Sequence, residues 1–242
     1  FQGLDQQSLF APITKKTWTI KNSKIIPNIM SDAFSLAMKP RRGPVCLNLP
    51  RNILAASNSY NINTKKQSFT NESKQKGNIE NIKHAAKLIG SSKCSVIIVG
   101  AGIKYNSKYK EVIKLAELCN LPIVTAAGHG DAIPFGHKLN AGQMGPRGNP
   151  VASRLVKNAD VILAIGTRLG FNSTFYSYEN INKEAKIIQI ELEKTMLGKY
   201  FPVKVKIHAD AATATKQLYE EIKKEKIKLN VKDWTNSYLK ER

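Results

Sequence analysis

The sequence predicts an α/β protein: a three-layer, doubly wound parallel sheet preceded by a fragment of a second α/β domain. Three observations carry that expectation. Continuous apolar runs such as "SVIIV", "DVILAIG" and "AKIIQIE" are what strands covered on both faces require. They alternate with amphipathic stretches of helical period, the pattern of βα units joined into a parallel sheet. A polar, aperiodic stretch then separates a short N-terminal segment from this regular pattern.

In the N-terminal segment, residues 1–54, "IPNIMSDAFSLAMK" repeats Ile25, Ile29, Ala33 and Leu36 at helical spacing, and Pro27 suits a first turn. "RRGPVCLNLP" reads as a turn feeding a buried strand that Pro50 ends. One helix and one strand cannot enclose a core of their own, so the segment is expected to be the C-terminal part of a domain. Residues 55–78, rich in Ser, Asn and Lys, read as a linker.

From residue 79 the elements follow in order. "IENIKHAAKLIG" has Ile79, Ile82, Ala86 and Ile89 on one face and Gly90 at its end. The strand "SVIIV" runs into Gly100-Ala101-Gly102, the helix "SKYKEVIKLAELCN" and the short strand "LPIVTA". A glycine-rich loop over 127–150 leads to the helix "VASRLVKNA". "DVILAIG" comes next, then the loop "TRLGFNSTFYSY" and the strand "AKIIQIE". "VKVKIHAD" and "AATATKQLYEEIKK" are the last strand and helix of a domain over 79–226. Residues 227–242 read as a connector.

The 38 Lys and Arg against 18 Asp and Glu give a formal charge of +20. Lysines lie along most of the chain, without the interleaved aromatics of a nucleic-acid surface, so a nucleic-acid partner is not expected. Cys46, Cys94 and Cys119 are far apart in apolar settings and read as buried thiols of a reducing, cytoplasmic compartment. The four histidines show no metal-ligand spacing. No apolar run approaches the roughly 20 residues of a membrane span, and the N-terminus lacks the plan of a signal peptide.

In an open α/β sheet, ligands bind outside the carboxyl ends of the strands. Those ends carry Gly100-Ala101-Gly102, Thr125 to Gly128, Gly166-Thr167-Arg168 and Glu191. Glycines admit a phosphate to backbone N–H groups, an arginine forks onto phosphate oxygens, and a strand-end acid accepts from ribose hydroxyls. Each has a plain alternative: a tight turn, a solvated strand exit and a helix N-terminal charge. Together they point to an adenine-nucleotide site. His129 and His137 fall in the glycine-rich loop, with Asp131 near His129, and read as loop histidines. A serine nucleophile elbow and a phosphate-binding Walker loop are both missing.

"FQGLDQQSLFAPITK", "RRGPVCLNLPRN", "NADVILAIGTRLG" and "AKIIQIELE", in this order and spacing, resemble the thiamine-diphosphate-dependent acetolactate synthase superfamily over nearly the whole chain. The resemblance implies that residues 1–54 end a pyrimidine-binding domain. Residues 79–226 would then be a central domain of Rossmann-type, DHS-like fold, leading to a diphosphate-binding domain. It implies thiamine diphosphate and Mg2+ in a homodimeric or homotetrameric parent that takes a two-carbon unit from a 2-oxo acid, as in branched-chain amino-acid biosynthesis. The glutamate that activates the thiamine ring and the magnesium motif are not in this sequence, so no catalytic residue is expected and the chain alone should not turn over pyruvate.

The resemblance also implies a central domain that carries FAD or ADP in a structural role, or is empty. By position, Arg41, Gly100, Gly102, Arg147, Gly166, Thr167, Arg168, Gln189, Ile190, Glu191 and Asp210 match nucleotide contacts. Phe1, Gln2 and Lys15 match positions near the active-site channel. The second arginine that synthases place after this third strand is absent, and Gly3 stands where an acid is usual. A sulfoacetaldehyde acetyltransferase or an acyl-CoA lyase is the alternative within the superfamily; a free-standing nucleotide-binding module is the alternative outside it.

Overall fold

A computed structural model describes residues 3–39, 42–60, 74–104 and 108–241. The chain divides into two compact units, residues 1–73 and 74–242. In the first unit, helix α1 (Gln6–Phe10) precedes strand β1 (Thr17–Thr19). Helix α2 (Ile26–Met38), strand β2 (Cys46–Asn48) and the short helix α3 (Arg51–Leu54) follow. β1 and β2 pair in parallel, Trp18 opposite Leu47. Among the described residues only Ile20, Ala33 and Ile53 are buried apolar groups of this unit, while Leu4, Ile13, Phe34 and Leu54 remain more than half exposed.

The second unit begins with α4 (Ile79–Gly90) and β3 (Ser95–Val99), then α5 (Tyr109–Cys119) and β4 (Ile123–Thr125). Next come β5 (Asn140–Gln143), α6 (Pro150–Asn158), β6 (Val161–Ile165) and the single-turn α7 (Phe171–Thr174). β7 (Lys186–Glu191), β8 (Val205–His208), α8 (Ala211–Lys224) and α9 (Lys232–Leu239) complete it. Local chemistry sets the helix starts. Asn78 accepts from the N–H groups of Glu80 and Asn81, and Asn149 caps α6 ahead of Pro150. Asp210 caps α8 through Thr213 N. Each cap satisfies donors that a helix start leaves without partners.

The six strands of this sheet are all parallel, in the order β5-β4-β3-β6-β7-β8. Apolar alternation divides them between two cores. Ile97, Val99, Leu163, Ile165, Ile188 and Ile190 pack with α4, α5 and α8; Val96, Ile98, Ile162, Ala164 and Ile187 pack with α6. That is the three-layer, doubly wound α/β arrangement the sequence predicts. β1 and β5 were not expected. "TWT" and "NAGQ" carry no apolar run, and their strand geometry comes from pairing with β2 and β4.

Two expected boundaries shift. Gln75 Nε2 donates to His208 O, Asp210 N donates to Gln75 O, and Gly77 N donates to Gln217 Oε1. The end of the expected linker 55–78 is therefore tied to the second unit. In the expected connector 227–242, α9 joins the fold: Trp234 Nε1 donates to Ser95 O at 3.1 Å, and Trp234 and Leu239 border both cores. Among the described residues no helix is long and apolar enough to cross a membrane.

Candidate nucleotide site at the carboxyl edge of the sheet

In the order β5-β4-β3-β6-β7-β8, the chain runs outward from β3 in one direction and from β6 in the other. The β3/β6 boundary is thus the topological switch point, where open α/β sheets hold ligands. Val99 pairs with Ile165, which pairs with Ile190. Gly100, Gly166 and Glu191 consequently leave the sheet at one level, on one edge.

The glycines there serve a different purpose from the one their sequence suggests. Gly100 N donates to Ile165 O at 3.1 Å and Gly102 N to Gly166 O at 3.0 Å, so neither N–H is left for a phosphate. A β-carbon on Gly100 would come within 2.6 Å of Gly166 O, and one on Gly102 within 2.6 Å of Gly166 Cα. Gly166 itself has φ +58°, the left-handed region that favours glycine. These three glycines let the β3 and β6 exits touch.

Around this contact the other expected residues are fastened in place. Thr167 is buried and its Oγ1 accepts from Leu169 N. Gln189, 2% exposed, donates from Nε2 to Thr167 O and accepts at Oε1 from Gly198 N. Ile190 gives its carbonyl to Gly166 N and its side chain to the core. Glu191 Oε1 accepts from Leu192 N and Glu193 N, so its carboxylate is oriented by its own turn. Arg168 is exposed beyond this framework.

Asp210 is placed differently. Its Oδ1 accepts from Thr213 N and Oγ1, and its Oδ2 pairs with Lys108 Nζ at 2.5 Å. With the side chains 5% and 15% exposed, this carboxylate is a structural clasp between the β8 exit and the start of α5. Lys15 is likewise engaged, donating from Nζ to Leu36 O and Lys39 O at the end of α2; burial and then Lys39 lower its pKa. Arg147 is exposed in the loop after β5. Within that loop a β-carbon on Gly145 (φ +98°) would stand 2.7 Å from Asn172 O, and Ala127 N donates to Ser173 Oγ, so the β4 and β5 exits reach α7. Phe1, Gln2 and Arg41 lie outside the described residues.

Residues 82–218 match the family described as thiamine pyrophosphate enzyme, central domain. The chain belongs to the thiamine pyrophosphate enzymes. Over 99% of its length it is 30% identical to the acetolactate synthase large subunit of Buchnera aphidicola subsp. Acyrthosiphon pisum. Identity to the probable acetolactate synthase large subunit of Methanocaldococcus jannaschii is 32% over 96%. A probable sulfoacetaldehyde acetyltransferase of Rhizobium meliloti is 29% identical over 92%. The chain spans 42%, 39% and 37% of these three relatives.

In this thiamine pyrophosphate enzyme central domain, the same edge carries groups that sequence reasoning missed or left unpaired. Lys104 Nζ pairs with Asp131 Oδ1 at 2.8 Å, so Asp131 serves Lys104 instead of hydrogen-bonding His129. Burial, and then the charges of Lys104 and Arg168 against the opposing pull of Asp131, lower the His129 pKa below 6.5. At the opposite, amino edge, where α5 ends and β5 begins, His137 lies 3.4 Å from Glu117. An aromatic cluster follows Arg168. Phe171 and Phe175 stand edge to face at 5.0 Å, Phe171 and Tyr176 lie 5.6 Å apart, and Tyr176 stacks on Tyr200 at 4.4 Å. Leu169, Phe175 and Tyr176 have positive φ, a strain of about 1–3 kcal/mol each that surrounding structure must hold. The string "GFNSTFYSY" showed the aromatics, but not that they would gather outside the fold.

Proposed function

We propose that the protein is the part of a thiamine-diphosphate-dependent, 2-oxo-acid-decarboxylating carboligase of the acetolactate synthase type that contains the central domain, which binds FAD or ADP in a structural role. The match of residues 82–218 and the likeness to acetolactate synthase large subunits support the enzyme class. The observation that carries the nucleotide reading is the gathering of Arg168, Glu191 and the glycine contact at the β3/β6 switch point. Arg168 fits a phosphate as an exposed, permanently charged fork, and Glu191 fits a ribose hydroxyl. Gly100 and Gly102 fit as spacers that draw the two exits together, since their N–H groups are already engaged.

Thiamine diphosphate would supply a carbanion that adds to the 2-oxo acid and carries the two-carbon unit. Among the described residues no three His, Cys, Asp or Glu side chains come together to hold a metal ion, and this reading assigns no catalytic step to them. Their role is to position the neighbouring parts of a dimeric or tetrameric enzyme.

Two measurements test this. The protein expressed from its full coding sequence should convert pyruvate to acetolactate with thiamine diphosphate and Mg2+; turnover of sulfoacetaldehyde alone would favour the acetyltransferase instead, the reading that the Rhizobium relative supports. Purified protein should release flavin on denaturation or, if colourless, bind ADP, and Arg168→Ala should weaken that binding by about 1.5–3 kcal/mol. A protein that neither carries flavin nor binds ADP would overturn the nucleotide reading.

A further inference from the structure

The aromatic cluster beside Arg168 is built as a rigid exposed surface. Phe171, Phe175 and Tyr176 are 52%, 44% and 46% exposed, yet the backbone beneath them is tightly held. Thr174, fully buried, donates from Oγ1 to Leu169 O and accepts there from Tyr176 N, while its carbonyl accepts from Asn180 Nδ2. Buried Ser173 accepts from Ala127 N. The left-handed backbone at Phe175 and Tyr176 therefore holds rings outward that hydrophobicity alone would turn inward. Such preorganisation lowers the ordering cost of binding.

Two cations flank the rings. Lys199 Nζ lies 5.4 Å from the Tyr200 centroid. Arg168 is exposed at the β6 exit, three residues before Phe171. A flat ring stacks on aromatic faces, and phosphates pair with cations; here both lie at the carboxyl edge of a parallel sheet.

We propose that Phe171, Phe175 and Tyr176, with Tyr176 backed by Tyr200, form the stacking surface for the planar heteroaromatic ring of a nucleotide whose phosphates meet Arg168 and Lys199. The inference rests on the nucleotide reading above and names the part of the site that holds the ring. None of the residues matched by position supplies such a surface: Gln189, Ile190 and Thr167 are buried and engaged in the framework.

The test titrates the protein expressed from its full coding sequence with ADP, FAD and inorganic diphosphate by calorimetry, for the wild type, Phe171→Leu, Phe171→Trp and Arg168→Ala. Phe171→Leu keeps an apolar side chain and removes the aromatic face. It should weaken ADP or FAD roughly 5- to 150-fold, the worth of one stacked base, and leave diphosphate unchanged, with Phe171→Trp restoring affinity. The ligand that responds, ADP or FAD, identifies the ring. If Arg168→Ala weakens the nucleotides while Phe171→Leu does not, the stacking surface is refuted and the nucleotide site stands. Equal weakening of diphosphate by Phe171→Leu would refute it too, by showing a change in the fold. Failure of the wild type to bind either nucleotide would overturn both readings.

Discussion

Gly102 and Gly166 are in backbone contact: a β-carbon on Gly102 would stand 2.6 Å from the Gly166 α-carbon, and one on Gly166 2.7 Å from that of Gly102. They join the exits of β3 and β6 at the point where the strand order reverses. Gly166→Ala adds this overlap to a left-handed φ of +58° and is expected to cost about 2–5 kcal/mol. Gly128→Ala, at φ +81° with nothing within 4 Å, should cost only the roughly 1–2 kcal/mol of the backbone conformation. Urea unfolding of both variants measures the difference, and equal losses would show that the contact is relaxed easily.

Asp210 and Lys108 form a nearly enclosed ion pair. Asp210→Ala removes both that pair and the α8 cap, and is expected to cost about 3–5 kcal/mol. Lys108→Met should cost less, because Asp210 Oδ1 keeps Thr213 N and Oγ1. Thermal melts of the two variants give the order.

Trp234 fastens α9 across both cores and donates to Ser95 O. Trp234→Ala should cost about 2–4 kcal/mol, a little under an aromatic enclosed on all sides. Trp234→Phe should cost less, about 1–2.5 kcal/mol, because it keeps an aromatic ring while losing the hydrogen bond and part of the packed indole. A loss below 0.5 kcal/mol for the alanine variant, by urea unfolding, would mean that α9 does not hold to the second unit.

Burial pushes the Cys119 thiol up to about 12 from 9.0. The native state therefore keeps it protonated while the unfolded chain ionises above pH 9. The sign follows: Cys119 withdraws stability as pH rises above about 9 and has no such effect below it. Cys119→Ala should flatten this alkaline loss in chemical unfolding between pH 8 and 10.5, and iodoacetamide should label Cys119 only upon unfolding.

His129 titrates below 6.5, held down by burial and by Lys104 and Arg168. A histidine with a depressed native pKa takes its proton more readily when unfolded, so stability attached to it begins to be lost as pH falls below 6.5 and goes on being lost down to the native pKa. Proton NMR should show a pKa below that of a free imidazole. Asp131→Asn should lower it further, since Asp131 is the charge pulling the other way; a rise would overturn the arrangement.

The strands legible in the sequence are those whose environment is written in their own residues. Val96 to Val99 and Val161 to Ile165 are apolar on both sides because both sides are covered, and a run of such residues has few other fates. β5 was not legible: Asn140, Ala141, Gly142 and Gln143 form a strand because β4 offers them a ladder. The single turn α7 was hidden for a similar reason, since its buried Ser173 binds a backbone N–H 46 residues away.

The site divides in the same way. The sequence by itself determined that glycine, arginine and carboxylate would end successive parallel strands, because apolar runs and their terminating residues are local. Only the tertiary structure decided what each group is used for. The N–H groups of Gly100 and Gly102 bond the neighbouring strand exit, the Asp210 carboxylate clasps Lys108, and four rings distant by up to 29 residues gather beside Arg168. A hydrogen-bonding group has a limited number of partners, and which ones it takes is fixed by neighbours in space that the chain order does not specify.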